Sequence, residues 1–452
     1  MSTSPTALLL AEAARRAAAY LDGLSSRSVA PSPEAIAALA ALDAPFPEEP
    51  VAGAAVLDEL DRRISPATMA MAGPRFFGFV IGGALPATLA ANLLATAWDQ
   101  NSAKSAVTPG TAALERVALR WVLEALGLPR GAAGGFVTGA TVANFTALAA
   151  ARHAVLGAVG WDVEARGLFG APPVSVAVGE EVHVSVLKAL AMLGLGRERL
   201  VAVKVDGQGR LRPEALPALR PPAIVCLQAG NVNTGAFDPA PEVIARARAA
   251  GAWVHVDGAF GLWAAAAPER AHLVAGLAEA DSWATDAHKW LNVPYDSGLA
   301  LVRDPAALQG AMGLSAAYLP DAGLRDPADF TPELSRRARG VEVWAALRAL
   351  GRRGLAALVE GCCRHAARFA EGLSAAGHQV LNEVVLNQVL VAFGDDARTR
   401  RVIEALQADG TCWCGGTVWQ GQTAMRISVS SWATTAEDVE RSLDAMLRAA
   451  RR

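Results

Sequence analysis

Four kinds of residue in this chain sit where they could do chemistry. The first is Lys289, the one lysine in "SWATDAHKWLNVPYDSG" (282–298), between His288 and Trp290. Trp283, Leu291, Val293 and Pro294 give that run the look of a packed or pocket-lining segment. Burying an ammonium without a partner is costly. A lysine there is either a stem along apolar surface with its head at a rim or an amine recruited for reaction. The second is Asp257, closing the apolar run "WVHVDGAF", as an N-cap, half of an ion pair, or a functional acid. The third is His183 in "EEVHVSVLKAL", where a strand or loop gives way to a helix. The fourth is the small-residue turn Thr138, Gly139, Ala140 and Thr141 in "FVTGATVAN". Free N–H groups and the dipole at a helix start suit a phosphate, although many strand-to-helix turns need a glycine and a threonine for geometry alone.

Taken together, these are the parts of a pyridoxal phosphate site. A lysine forms the Schiff base, an aspartate holds a proton on the pyridine nitrogen, a ring-shaped side chain stacks, and a helix start takes the phosphate. Such parts must be positioned by a frame, and the pattern from about 110 to 310 supplies one. Short apolar runs ("GGFVTG", "VSVAVG", "LVAVKV", "AIVCLQAG", "AWVHVDGAF", "ADSWATDAH", "GLALVRD") alternate with helical segments. That alternation predicts a largely parallel sheet covered on both faces, with ligands at the carboxyl ends of its strands. Residues 1–75 read as helices, with Ser32 and Pro33 as an N-cap and a first-position proline. A Gly-, Pro- and Asp-rich loop at 313–335 leads to a long helical pattern, two strand-like runs and a closing helix.

The bulk numbers exclude other classes. The 452 residues are 52% hydrophobic and 19% charged, with formal net charge −3. This balance gives no electrostatic reason for a nucleic acid or an anionic membrane as partner. No apolar run reaches the ~18 residues of a membrane span, and the N-terminus lacks the basic start of a signal peptide. The five cysteines, Cys226, Cys362, Cys363, Cys412 and Cys414, form no metal-ligand pattern. Reduced thiols in a cytoplasmic protein are the expectation.

The segment "HVDGAF", with Asp257 and Lys289 32 residues apart, and "DAHKW" resemble the group II pyridoxal-dependent amino-acid decarboxylases, which include aromatic-amino-acid and glutamate decarboxylases. The resemblance runs from "GPRFFGFVIGG" (73–83) to "AMRISVSSWATT" (424–435). It implies an aspartate-aminotransferase-like fold type I chain: a helical arm (1–75), a large α/β domain (76–315), and a mobile loop with a small α+β domain (316–452). It also implies a homodimer with shared sites. Lys289 would carry the Schiff base and Asp257 would pair with the pyridinium. His183 and Ala259 would flank the ring. Gly139, Ala140 and Thr141 would serve the phosphate, with His288 and Asp286 beside it. Arg426 would take the substrate α-carboxylate, or else form a structural salt bridge. The chain departs from the family at Asp286 and Ala287, where Asn-Pro is frequent. It departs again at Asn231 and Val232, where a Thr pair is frequent; Asn231 would then serve the cofactor.

The expected reaction is α-decarboxylation of an L-amino acid to an amine. Two rivals stand beside it: another outcome on the same scaffold (aldehyde formation, carbon–carbon lysis, transamination), or a cofactor-free protein. Phe76, Phe77, Phe79 and Ile81 suit an apolar or aromatic substrate, with Phe79 in the pocket, or are plain core packing. In many relatives a mobile-loop tyrosine is implicated in protonating Cα, and a phenylalanine there goes with aldehyde formation. This chain's loop has Tyr318 early and Phe330 nearest the expected place. An unusual proton donor is therefore expected: His183, water, or a side chain of the second subunit.

Overall fold

The computed structural model describes residues 4–314 and 325–451. Seven short runs pair into one sheet: β1 (Ala133–Val137), β2 (Ser175–Gly179), β3 (Val201–Val203), β4 (Ala223–Gln228), β5 (Trp253–Asp257), β6 (Ser282–Asp286) and β7 (Gly298–Val302), in the order β1-β7-β6-β5-β4-β2-β3. Strands β2 to β6 pair in parallel, and β7 runs antiparallel between β1 and β6. Strands β4, β6 and β7 are buried along their whole length, and β5 everywhere but at Trp253, as covering both faces with helices requires. The Ala140–Gly157 helix follows β1 and lies across β5, β6 and β7. Its alanines at 143, 147, 150 and 151 are buried, so helix and sheet approach closely.

A second sheet is antiparallel throughout. It comprises β8 (Gln379–Val380), β9 (Gln388–Ala392), β10 (Gly415–Trp419) and β11 (Gln422–Ser428), in the order β10-β11-β9-β8. The helical stretch Gly340–Ala375 packs against it and is broken at Gly351, whose φ of 57° and ψ of −176° leave the helical region. The segment at 75–77 joins this sheet rather than the large one. Trp413 N–H donates to Arg75 O (3.1 Å), Phe77 N–H donates to Trp413 O (2.8 Å), and Ser428 N–H donates to Phe77 O (2.9 Å). One continuous apolar core runs from Phe77 and Phe136 through Val256 and Trp283 to Phe369, Val389 and Ile427.

The first helix, Pro5–Gly23, is capped by Ser4, and Pro33–Ala38 by Ser32 with Pro33 at its first position. Neither contributes a buried residue, and Leu8, Leu10, Leu21, Ile36, Phe46 and Val56 are exposed. All five cysteines are free and buried. Among the described residues no helix is long and apolar enough to cross a membrane.

Candidate active site

Strand β6 ends at Asp286, and the chain then turns through Ala287 and His288 to Lys289. Lys289 Nζ lies 3.0 Å from Asp286 Oδ2, and its side chain is only 17% exposed. The amine is thus held inward by a buried carboxylate and does not snorkel to a rim. The other oxygen, Oδ1, accepts from the Ala140 N–H at 2.5 Å and lies 3.5 Å from His288 Nε2. One carboxylate therefore joins the lysine, the histidine and the start of the Ala140–Gly157 helix. His288 Nδ1 accepts from the Ser297 N–H at 3.1 Å, which leaves Nε2 to carry the proton of the neutral ring. Its ring stacks on Tyr295 at 4.1 Å.

The backbone after Lys289 is built to tight tolerances. Asn292 is fully buried with φ of 55°, a left-handed conformation that asparagine tolerates better than most residues. Its amide nitrogen donates to Trp290 O (2.9 Å) and Ser430 O (3.0 Å), and its Oδ1 accepts from Trp432 N–H (2.9 Å). Leu85 N–H donates to its carbonyl at 2.9 Å. A Cβ at Gly82 would fall 1.8 Å from Lys289 O. The turn that opens the Ala140–Gly157 helix is as close. A Cβ at Gly139 would meet His288 Cε1 at 2.9 Å, and one at Gly298 would meet Gly139 Cα at 2.5 Å.

Asp257 ends β5, beside Gln228 and Ala284. It is buried, and its carboxylate accepts one hydrogen bond, from the Ala259 N–H at 3.2 Å. Burial pushes its carboxyl up, while the neighbouring His183 and Lys289 pull it back down. His183 caps the Val184–Met192 helix with its imidazole. Its Nδ1 accepts from Ser185 N–H at 3.2 Å and lies 2.7 Å from Ser185 Oγ. Burial pushes His183 down; Asp257 and Asp286 oppose this, and Lys289 and Arg426 reinforce it. The structure thus brings Lys289, Asp257, His183, Asp286 and Arg426 into one electrostatic neighbourhood.

Arg426 lies on β11, and burial lowers its basicity. Its Nη1 donates to Asn233 Oδ1 at 3.4 Å, to which Thr417 Oγ1 also donates at 3.1 Å. Asn233 and Thr417 escaped the sequence reading, since neither stands at a strand end or in a motif. Asn231 uses its side chain inside its own turn. Its Oδ1 accepts from Asn233 and Thr234 N–H, and its Nδ2 donates to Gln228 Oε1. Ala259 is half-buried, and its carbonyl accepts from Asp286 N–H at 2.8 Å. Thr141 is half-buried one residue into its helix.

The aromatics divide. Phe79, with φ of 53°, is 58% exposed and stacks on Trp413 at 5.4 Å, while Trp413 stacks on Phe76 at 5.0 Å. Phe76, Phe77 and Ile81 are buried core. Trp283 and Trp290 are also fully buried. The run around Lys289 therefore presents His288, not its tryptophans, to the amine. Phe330 is buried beside β1, with the Arg325 guanidinium 4.0 Å over its ring; Tyr318 lies outside the described residues.

These residues fit pyridoxal phosphate. A buried amine, a buried acid whose side chain has no salt-bridge partner among the described residues, and a glycine floor at a helix start are what its aldehyde, pyridine nitrogen and phosphate require.

Comparison with known proteins agrees. A family model described as "Pyridoxal-dependent decarboxylase conserved domain" matches residues 33–394. The L-2,4-diaminobutyrate decarboxylase of Rhizobium meliloti (strain 1021) is 30% identical over 90% of this chain and 84% of its own length. Tyrosine decarboxylase from Oryza sativa subsp. japonica is 33% identical over 81% of this chain and 74% of its own. The crystal structure of Oryza sativa TDC with PLP and tryptamine superposes with a TM-score of 0.92 at 22% identity, covering 100% of this chain and 99% of that one. That likeness is one of fold, type I among pyridoxal enzymes.

Proposed function

Since the chain belongs to the pyridoxal-dependent decarboxylases and so acts on an L-amino acid with pyridoxal phosphate, we propose that Lys289 holds the cofactor and that an apolar or aromatic amino acid is the substrate. One observation carries the assignment of the lysine: its Nζ sits inside the protein, 3.0 Å from buried Asp286. Bound pyridoxal phosphate supplies an electron sink for the pair left behind when carbon dioxide departs.

The chain's own residues do the rest. Asp257 keeps a proton on the pyridine nitrogen, and that cation gives the buried carboxylate the counter-charge it otherwise lacks. Gly139 and Thr141 would seat the phosphate at the helix start, with His288 beside it, whereas the Ala140 N–H expected to join them is held by Asp286 Oδ1. Asp286 steadies the Lys289 amine when substrate replaces it. His183 and Ala259 flank the ring, Asn231 shapes the turn that carries Asn233, and Arg426 takes the α-carboxylate. Phe79 and Trp413 offer an aromatic wall for the substrate side chain, a reading supported by the similarity to a tyrosine decarboxylase. The proton that Cα then requires comes from His183 Nε2, from water, or from the second subunit. The same reading includes a cytoplasmic homodimer, which the free buried thiols and the exposed apolar arm support, and the division at 75/76 and 315/316.

The test is carbon dioxide release from L-tyrosine, L-phenylalanine, L-tryptophan, L-glutamate and L-2,4-diaminobutyrate, with amine, aldehyde and peroxide measured together. Amine without peroxide from an aromatic substrate is expected. Stoichiometric peroxide and aldehyde would overturn simple decarboxylation, and a preference for L-glutamate would overturn the aromatic wall. Lys289→Ala is expected to fold, bind cofactor without a covalent link, and lose turnover by at least ~10⁴-fold; full activity would remove Lys289 from its role.

A further inference from the structure

Behind His183 lies a chain of buried polar groups that the roles above do not use. Trp253 Nε1 donates to Ser282 Oγ at 2.9 Å, and Ser282 Oγ lies 2.9 Å from His255 Nδ1. His255 Nε2 lies 2.9 Å from Asn144 Oδ1, and Asn144 Nδ2 donates to Ser185 Oγ at 3.3 Å. Ser185 Oγ then lies 2.7 Å from His183 Nδ1. His255, Asn144 and Ser282 are fully buried, and Ser185 nearly so. Each belongs to a different part of the frame: β5, the Ala140–Gly157 helix, β6 and the Val184–Met192 helix. His255 also shares a sheet face with Asp257, two residues on.

From His255 to Ser185 the donors in this chain point one way, and the backbone N–H of Ser185 sets the direction at His183 Nδ1. An amide oxygen only accepts, so His255 Nε2 carries the proton toward Asn144 Oδ1. Burial pushes His255 down to about 3, so the ring is neutral and its Nδ1 accepts the Ser282 hydroxyl proton. At the other end Ser185 Oγ receives the Asn144 N–H and passes its own proton to His183 Nδ1. The backbone N–H of Ser185 donates to that same nitrogen at 3.2 Å.

We propose that Asn144, Ser185 and His255 are positioning residues that fix His183 as the uncharged tautomer with its proton on Nε2, facing the cofactor. Two donors meet Nδ1, and charging the imidazole would require a proton there, at the cost of the Ser185 N–H bond and of turning the Ser185 hydroxyl, already holding the Asn144 N–H, away from the ring. The groups facing His183 from neighbouring elements are Asp257 on β5, Asp286 on β6, Lys289 after it and Arg426 on β11. Burial disfavours the charged ring most, the two carboxylates oppose this effect and the two cations add to it, and the donors at Nδ1 select which neutral tautomer results. His183 then serves as a fixed hydrogen-bond donor, and the Cα proton comes from water or the second subunit. This last consequence rests on the decarboxylase reading; the tautomer does not.

The experiment is ¹⁵N NMR of histidine-labelled holoenzyme without substrate between pH 6 and 9, with the His183 signals assigned by their loss in His183→Ala. The wild type is expected to show an unprotonated Nδ1 and a protonated Nε2 throughout. Ser185→Ala is expected to give a mixed or partly charged ring by pH 6. With substrate, its kcat/KM acid limb should move up by about one pH unit while KM changes less than twofold, and Ser185→Thr should restore the wild-type profile. A wild-type His183 protonated at Nδ1, or ¹⁵N signals unchanged in Ser185→Ala, would overturn the proposal. Because the spectrum is read without substrate, that failure is distinct from any failure to release carbon dioxide.

Discussion

Asp257 is a buried acid whose side chain accepts one hydrogen bond, from the Ala259 N–H. Burial holds its carboxyl above the ordinary range, so folding favours the protonated form. A raised value means that the associated stability is fully present below the unfolded pKa, near 3.9, and is lost as pH rises through the folded one. As pH rises, charging this buried carboxylate costs the cofactor-free chain stability, offset only in part by His183 and Lys289. Asp257→Asn keeps the shape and removes that charge. In the apo form its melting temperature is expected to exceed that of the wild type, by on the order of 1–3 °C at pH 8 and by less at pH 5. With cofactor the order is expected to reverse and retention on a desalting column to fall, as the proposed pairing of the carboxylate with the pyridinium requires. Scanning fluorimetry of both forms checks this, and an apo variant less stable at pH 8 than at pH 5 relative to wild type would contradict it. Asp257, Lys289 and His183 were legible in the sequence because each interrupts an apolar run at an element boundary. Asn144, His255 and Asn233 were not, because a polar residue on a buried face announces itself only once the helix and strand registers around it are known.

The loop between β6 and β7 shows how an element can be fixed by one residue. Asn292 satisfies its left-handed backbone and three hydrogen bonds at once, to Trp290, Ser430 and Trp432. Asn292→Ala strands two carbonyls and an N–H in the interior and adds backbone strain, a loss of roughly 2–4 kcal/mol. The expected outcome is a lower urea midpoint with an unchanged slope, together with weaker cofactor retention; an unchanged midpoint would show that the loop holds itself. The strands flanking this loop were readable, because "GLALV" is an apolar run of strand length and "SWATD" carries a β-favouring Trp and Thr at strand length, each bounded by turn residues. The antiparallel direction of β7 was not, since nothing in a buried run encodes which way it lies. Nor was the membership of 75–77 in the second sheet. Its partners lie at the far end of the chain, and the aromatic pattern of "RFFGF" fits a core segment anywhere.

At the scale of the whole molecule, the arm at the N-terminus carries exposed apolar side chains. Leu8 and Leu10 are exposed on a helix with no fully buried residue, and exposed apolar surface of this kind marks an interaction site. Light scattering is expected to give twice the 46.7 kDa chain mass. Leu8→Glu with Leu10→Glu is expected to yield monomer and, on the proposed homodimer with shared sites, to cut turnover at least ~10-fold; a fully active monomer would dissociate the arm from the site. The pairing of Phe77 with Trp413 and Ser428 also bears on how the protein is made. On a ribosome the Phe77 segment emerges early, but its hydrogen-bond partners and much of its apolar cover appear only when the last strand is translated. At about 5–20 residues per second that interval is on the order of tens of seconds. Throughout it, "RFFGFVI" is an uncovered apolar stretch on a nascent polypeptide, a natural handle for a holdase chaperone.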